Sequence, residues 1–177
     1  MDVYAENGAV TPVIRTERLT LRPVLASDAE AIVAGVNNWD VAKWLAVVPH
    51  PYSLEDAHSF ITDIMPQGGP CWGIDDGALA GIISLGQELG YWLAEDRWGR
   101  GYMTEAGRAV IDMHFADAAA GDIQSGYFVA NERSGAVLTK LGFRPGQERR
   151  MYCVARGEDM DSQTMILTRD RWASVRG

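Results

Sequence analysis

The fold is decided by the stretch Arg97-Trp98-Gly99-Arg100-Gly101-Tyr102-Met103-Thr104-Glu105-Ala106, which follows directly on the strand-like run Leu89-Gly90-Tyr91-Trp92-Leu93. Gly99 and Gly101 allow the backbone to take positive φ angles and to approach a ligand closely. The unpaired N–H groups and the positive dipole end of the helix that follows attract phosphate. A strand, a glycine turn and a helix start therefore predict a ligand that carries phosphate, although an ordinary tight turn has the same pattern.

Two common nucleotide-binding motifs do not fit this turn. A dinucleotide fingerprint needs a third glycine where this chain has Thr104. A Walker A loop needs Gly-Lys-Ser or Gly-Lys-Thr, which occurs nowhere in the sequence. The residues around the turn must therefore indicate which phosphate ligand is bound.

The composition agrees with one compact domain over residues 1–177. Hydrophobic residues make up 47% of the chain and charged residues 23%, which is ordinary for a globular protein long enough to bury a core. The formal net charge of −8 argues against a general nucleic-acid binder, which needs a basic surface, but it is compatible with a basic amine substrate. Cys71 and Cys153 lack Cys-x-x-Cys spacing and the histidines lack ligand spacing, so we expect buried reduced thiols and no metal site.

The expected location is the cytoplasm. The first residues, Met-Asp-Val-Tyr-Ala-Glu-Asn, do not follow the basic-then-apolar pattern of a secretory signal. No apolar run approaches the roughly 20 residues that span a bilayer. We therefore expect no membrane partner.

The periodicity of the chain predicts an α+β fold, with a mixed and mostly antiparallel sheet of about seven strands flanked by helices. The predicted strands cover residues 18–23, 71–74, 78–85, 88–93, 123–129, 149–154 and 163–168. A long helix is expected from Thr104, and because it joins the fourth and fifth strands, these two should be parallel. Capping boxes at Ser27-Asp28-Ala29-Glu30 and Ser53-Leu54-Glu55-Asp56 predict two earlier helices.

A second motif lies about thirty residues after the glycine turn. The chain reads Val129-Ala130-Asn131-Glu132-Arg133-Ser134, then an apolar helical run, then Leu141-Gly142-Phe143. Together with the upstream Gly-Tyr-Trp-Leu and the glycine-rich loop, this order resembles the GNAT family of acetyl-coenzyme A-dependent N-acetyltransferases, in its RimJ/RimL-type branch. The segments 16–23 and 167–172 resemble the opening strand and closing segment of that branch, so the resemblance covers nearly the whole chain.

The resemblance implies a set of cofactor-binding residues. In the family, the fourth and fifth strands splay apart and free the backbone of the fourth strand to bond the pantetheine arm, a role that falls to Leu93 and Ala94. The pyrophosphate loop corresponds to residues 98–103, which are Trp98, Gly99, Arg100, Gly101, Tyr102 and Met103, and Thr104 after it is also expected to bind the cofactor. Trp98 replaces a usual Gln or Arg, and Met103 replaces a small residue, where it either shifts the diphosphate or packs below the loop as core. Asn131 corresponds to an asparagine that bonds the cofactor arm, and the same residue also suits a helix N-cap.

Acetyl transfer from a thioester to an amine needs a neutral amine, stabilisation of the developing oxyanion and a proton for the leaving thiolate. Ser134 matches the serine that can donate this proton, and it also suits the first turn of a helix. Glu88 is the candidate base, acting directly or through water, because an alternating strand places it on one face with Gly90 and Trp92. An exposed turn glutamate is the alternative interpretation of Glu88.

The resemblance implies direct transfer of an acetyl group from acetyl-CoA to a primary amine in a ternary complex, with a protein N-terminal amine as the favoured acceptor. A small-molecule amine, such as an aminoglycoside, a polyamine or an amino acid, is the alternative within the same activity. A catalytically silent acyl-CoA sensor is the alternative from another class, because Met103 departs from the loop pattern. Homodimerisation is common in this branch and is possible here.

Overall fold

Two antiparallel sheets contain the eight strands of the computed structural model, which describes residues 11–176. The first sheet has the order β1-β2-β3-β4-β5, with β1 at Ile14–Arg15, β2 at Thr20–Pro23, β3 at Cys71–Asp75, β4 at Leu79–Leu85 and β5 at Leu89–Leu93. The second has the order β6-β8-β7, with β6 at Ile123–Phe128, β7 at Arg144–Cys153 and β8 at Glu158–Leu167.

Helices flank both sheets and confirm the α+β class. The α-helices are α1 at Ala29–Val36, α2 at Trp39–Ala42, α3 at Leu54–Ser59, α4 at Tyr102–Ala116, α5 at Glu132–Lys140 and α6 at Arg169–Val175. Short 3₁₀ segments lie at Ala26–Asp28, Met65–Gln67 and Glu95–Arg97, and a π-helical turn at Phe60–Ile64 extends α3. The long helix expected from Thr104 is α4, and it begins two residues earlier.

The junction between β5 and β6, the fourth and fifth strands of the sequence prediction, is splayed as the resemblance implies, and it divides the single sheet that was expected into two. Among the described strands, β5 and β6 share no backbone ladder, and every strand pair is antiparallel. Instead, Ser125 Oγ on β6 donates a hydrogen bond to the Leu89 carbonyl oxygen on β5 at 2.8 Å. Because this bond comes from a side chain, the two backbones are not joined by the N–H···O=C ladder that spaces paired strands at about 4.8 Å. The two sheets therefore meet at one end of β5 and leave its edge unpaired.

The first sheet separates two hydrophobic cores, because successive side chains of a strand point to opposite faces. The larger core contains Ile83 and packs against α4 and α5, whereas the smaller contains Ile82 and packs against α1 and α3. Along β5, Tyr91 and Leu93 pack against the larger core and Trp92 against the smaller. The strand before the glycine loop is thus fixed from both faces.

The two predicted capping boxes had different outcomes. At Ser53 the box is confirmed, since Ser53 Oγ accepts from the Asp56 N–H at 3.1 Å and the Asp56 carboxylate accepts from the Ser53 N–H at 2.8 Å. The box at Ser27 was wrong, because the Asp28 carboxylate turns back to accept from the Leu25 N–H at 2.7 Å. A 3₁₀ turn with Leu25 at its cap therefore leads into α1.

Asp28 is held in that position by Arg22. The Arg22 guanidinium donates to both Asp28 carboxylate oxygens, at 2.8 and 2.9 Å, and its Nε donates to Asp75 Oδ2 at 2.8 Å. Burial alone raises the pKa of each carboxyl, but the hydrogen bonds from Arg22 and from backbone N–H groups outweigh it and lower both pKa values. This ionic network joins β2, the start of α1 and the end of β3.

Candidate active site

The glycine turn after β5 has the geometry of an anion site. Gly99 and Gly101 have φ angles of +73° and +79°, in the left-handed region that favours glycine. Gly101 is the N-cap of α4 and offers no side-chain cap, while the Glu105 N–H already donates to the Gly101 carbonyl oxygen. The N–H groups of the first turn of α4, ahead of Glu105, therefore lack a capping side chain and suit a phosphate.

The side chains of this loop divide into one anchor and several surface groups. Met103 is 5% exposed and packs in the larger core, as expected if it lies below the loop. The exposed Arg100 guanidinium lies 6.0 Å from the centre of the Tyr102 ring. Thr104 and Gly101 line an open groove of about 540 Å³ on the outer side of α4. The loop is thus anchored from below and presents its backbone outward.

The register of β5 shows which of its backbone groups face the gap toward β6. The Ala94 N–H donates to the Ala80 carbonyl oxygen at 2.9 Å, which makes Ala80 and Ala94 a hydrogen-bonded pair of the β4–β5 ladder. Because such pairs alternate along an antiparallel ladder, the backbone groups of Leu93 and Tyr91 point away from β4. Leu93 therefore suits the predicted role toward the cofactor arm. The Ala94 N–H is already used in the ladder, whereas the backbone groups of Tyr91 face away from β4 as those of Leu93 do.

Trp98 occupies the gap beside this free edge. Its indole Nε1 donates to the Leu93 carbonyl oxygen at 3.0 Å, and the Arg133 guanidinium lies over its ring at 4.4 Å from the centre. Trp98, Arg133 and Asn131 line a groove of about 360 Å³ between the loop and the start of α5. The departure from Gln or Arg at this position thus joins the glycine loop to α5 by a cation–π contact.

Asn131 is the N-cap of α5. Its Oδ1 accepts from the Ser134 N–H at 3.4 Å, and its carbonyl oxygen accepts from the Gly135 N–H at 3.2 Å. The capping role expected from the sequence is confirmed. The side-chain bond is long, so a ligand amide could replace it at small cost, and the cofactor role of Asn131 stays a prediction.

Ser134 has a partner that sequence reasoning missed. Tyr91 on β5 places its hydroxyl 2.9 Å from Ser134 Oγ and 3.3 Å from the Ser134 carbonyl oxygen. Burial raises the pKa of Tyr91 to about 12, so its hydroxyl stays protonated at neutral pH. Strand alternation indicates that Tyr91 and Trp92 point to opposite faces, but only the fold shows what Tyr91 meets, 43 residues away.

Glu88 lies apart from this pair. It occupies the turn between β4 and β5, its side chain is 47% exposed, and its contact is with Arg149 Nη2 at 3.4 Å. Among the hydrogen bonds of residues 11–176, none joins Glu88 to Ser134 or to Tyr91. The structure therefore brings together the loop, Asn131 and Ser134, and leaves Glu88 at the other end of β5.

The remaining titratable groups add little to the site. Cys71 and Cys153 are buried free thiols, and burial raises the pKa of Cys71 to about 12. Within residues 11–176, no group of three or more His, Cys, Asp or Glu side chains is placed to hold a metal ion. None of the helices in the described part of the chain has both the length and the apolar character needed to cross a membrane.

Comparison with known proteins agrees with this geometry. Residues 18–144 match the family described as "Acetyltransferase (GNAT) domain". The uncharacterized N-acetyltransferase YoaA of Bacillus subtilis (strain 168) is 29% identical over 175 residues, which cover 90% of this chain and 98% of YoaA. A second protein of that organism, provisionally named ribosomal N-acetyltransferase YdaF, is 28% identical over 172 residues, which cover 88% of this chain and 94% of YdaF.

A solved structure shares the fold. Mycobacterium smegmatis RimJ, solved in complex with CoA-disulfide, has a TM-score of 0.74 and 23% identity, with 86% of this chain and 82% of RimJ covered. The family match spans most of the chain, and both curated relatives are named as N-acetyltransferases. This chain belongs to the GNAT family of acetyltransferases and is an N-acetyltransferase.

Proposed function

We propose that this enzyme transfers the acetyl group of acetyl-CoA to the α-amine of a protein N-terminus, directly and within a ternary complex. The observation that carries the proposal is the placement of Ser134 and its partner Tyr91 beside the unpaired edge of β5. That edge runs into the uncapped start of α4 at Gly101. A phosphate site, a free backbone edge and a proton donor thus follow one another along one gap.

The residues along this gap fit acetyl-CoA. The first-turn N–H groups of α4 would hold the diphosphate, since Gly99 has open space where a Cβ would stand. The backbone groups of Tyr91 and the N–H of Leu93, whose carbonyl oxygen already accepts from Trp98, would bond the amides of the pantetheine arm. Asn131 would bond the same arm from α5. The coenzyme would supply the acyl thioester, and these protein groups would hold it in position.

Proton transfer is assigned to Ser134, beside the middle of β5, and to Glu88, in the turn before β5. Ser134 Oγ holds a proton that can pass to the departing thiolate, and Tyr91 fixes the orientation of that hydroxyl. Glu88 is assigned as a base that acts through water, because its exposed carboxylate faces solvent. In this assignment the proton donor, Ser134, is held in place by Tyr91, and the base, Glu88, acts through water.

Such a weak, exposed base supports an α-amine as the acceptor. An α-amine has a pKa near 7.7–8.0, whereas a lysine side chain near 10.4 needs roughly 3 to 4 kcal/mol more to lose its proton at neutral pH. The name of YdaF points to ribosomal substrates for that relative, and the fold is shared with RimJ. We carry the same acceptor class over to this chain, as a cytoplasmic activity.

A panel of acceptors tests the proposal. Thiol release from acetyl-CoA should be measured with peptides that have a free N-terminus and blocked lysines, with peptides blocked in the opposite way, and with polyamines, amino acids and aminoglycosides. The proposal expects turnover with the first set. Turnover only with small amines or lysines would overturn the acceptor, and tight binding of acetyl-CoA without turnover on any acceptor would instead indicate a sensor.

A further inference from the structure

Arg18 lies against the phosphate loop although it is 82 residues away from Arg100 in the sequence. Its Nη1 donates to the Arg100 carbonyl oxygen at 2.8 Å, and its guanidinium lies 5.1 Å from the centre of the Tyr102 ring. A Cβ built on Gly101 would stand 3.4 Å from Arg18 Nη2. The guanidinium thus covers one side of the residues that begin α4.

Glu105 fixes Arg18 in this position. Its carboxylate accepts from Thr16 Oγ1 at 2.6 Å, from the Arg18 N–H at 2.9 Å and from Arg18 Nε at 2.8 Å, and Arg18 Nη2 lies 2.7 Å away. Burial alone raises the pKa of Glu105, but these hydrogen bonds and the Arg18 charge outweigh it and lower the pKa. The carboxylate is therefore ionised at neutral pH.

An ionised carboxylate at this place has a consequence for an anionic ligand. Glu105 lies in the first turn of α4, where its N–H donates to the Gly101 carbonyl oxygen. A negative charge within the first helical turn would repel a diphosphate bound at the helix start, because a turn of about 5.4 Å is shorter than a Debye length and the carboxylate is only 17% exposed. Arg18 is the cation that cancels this charge while also bonding the loop backbone.

We propose that Arg18 is a positioning residue of the phosphate loop, which it serves in two ways. It fixes the Arg100 carbonyl and hence the orientation of the peptide that precedes Gly101, and it neutralises Glu105 beside the bound diphosphate. The proposal rests on the proposed function for the identity of the ligand. It adds a role to the N-terminal segment, which is far from the loop in sequence.

Three variants test the proposal: Arg18→Gln, the double variant Arg18→Gln/Glu105→Gln, and the control Arg15→Gln. Arg15 is an exposed arginine of β1 whose side-chain contact is with Thr20 Oγ1 at 3.4 Å. Calorimetry should measure binding of coenzyme A and of pantetheine, which lacks the phosphates. Thermal unfolding of each variant reports whether the fold is kept.

Arg18→Gln should weaken coenzyme A binding roughly 10- to 100-fold and leave pantetheine binding unchanged, because the loss acts through the phosphates. The double variant should recover part of that loss, since it removes the unpaired negative charge. Arg15→Gln should bind both ligands normally. An equal loss for both ligands, an unchanged affinity for coenzyme A in Arg18→Gln, or a double variant no better than the single one would overturn the role of Arg18.

Failure of the unsubstituted protein to bind coenzyme A would overturn the proposed function, and this proposal with it. Normal binding by the unsubstituted protein together with any of the contrary results above would overturn the role of Arg18 alone. A large fall in melting temperature in Arg18→Gln with proportional losses for both ligands would show that the residue only stabilises the fold.

Discussion

The two ends of β5 are built in different ways. At the end that leads into α4, the Leu93 carbonyl accepts from the Trp98 indole and the Arg100 carbonyl accepts from Arg18. At the other end, Glu88 stands in a turn with a half-exposed side chain and one contact, of 3.4 Å, to Arg149. The backbone of the first end is held by neighbouring side chains, whereas the carboxylate of the second is free to exchange partners with water.

This difference indicates how the two substrates are handled. Groups that must bind a ligand in one geometry give a higher affinity when they are already ordered in the free protein, because their conformational entropy has been lost on folding and is not lost again on binding. A base that takes a proton through water does not need such a fixed geometry. We therefore expect substitutions at the loop end and at Ser134 to have large effects, and substitutions at the Glu88 end to have small ones.

The largest effect is expected for Ser134→Ala. Loss of the proton donor should lower kcat by about 10²- to 10⁴-fold, while the affinity for acetyl-CoA changes little. Asn131 still caps α5 in this variant, so the melting temperature should hold. Steady-state kinetics and calorimetry check both values, with Ser174→Ala on α6 as the control. A normal kcat with a lower melting temperature would show that Ser134 only supports its helix.

The next effect is expected at the fixed end of β5. Gly101→Val places a branched side chain at a φ of +79° and directs it toward Arg18, so the loop can no longer approach a diphosphate. Affinity for acetyl-CoA should fall about 100-fold. Calorimetry measures the change, and circular dichroism shows whether the fold survives.

Gly121→Val is the control for that variant, because a Cβ at Gly121 meets nothing within 4 Å and Gly121 is not among the positive-φ glycines of the described chain. Unchanged coenzyme binding in a folded Gly101→Val protein would contradict the assignment of the loop. It would also remove the contrast between the two ends of β5.

A smaller effect is expected for Tyr91→Phe, which keeps the ring in the core and removes only the hydroxyl that orients Ser134. One hydrogen bond of ordinary strength corresponds to about a tenfold fall in kcat. The fall should be absent when the substitution is made in Ser134→Ala, because the two residues act as one unit. Tyr52→Phe is the control, since burial also raises the pKa of Tyr52 to about 12 but Tyr52 lies in the smaller core. Additive losses in the double variant would separate Tyr91 from Ser134.

The smallest effect is expected for Glu88→Gln. Its exposed carboxylate acts through water, so kcat/KM should fall by less than about tenfold. The fall should be confined to pH values below the acceptor pKa, near 8 for an α-amine, because above it the amine is already neutral. Rate profiles from pH 6 to 9 measure this, with Glu148→Gln as the control. Identical profiles for Glu88→Gln and the unsubstituted enzyme would remove Glu88 as the base.

The features predicted correctly from the sequence are those set by neighbouring residues. The glycine loop, and the start of α4 to within two residues, follow from the positive φ angles that Gly99 and Gly101 allow, and the cap at Asn131 depends on a residue three positions away. For Met103 the sequence left two alternatives, and the structure shows the packing below the loop.

Features set by distant contacts were missed. The bonds between Tyr91 and Ser134 and between Arg18 and Glu105 join residues 43 and 87 positions apart. The direction of the Ala94 N–H depends on the register of β4 against β5, which a single strand does not reveal. Such contacts need the fold, and they include the partner of Ser134.

The network of Arg22, Asp28 and Asp75 makes the stability of the fold depend on pH at the acid end. Both carboxyl groups have pKa values below those of the unfolded chain, so the stability they contribute is complete above about pH 4 and is lost as the pH falls through their folded pKa values. The network joins the second strand, the first helix and the third strand. Because the pKa of Glu105 beside the glycine loop is lowered as well, acid should loosen both the helical layer over the Trp92 face of β5 and the contact between Arg18 and Glu105.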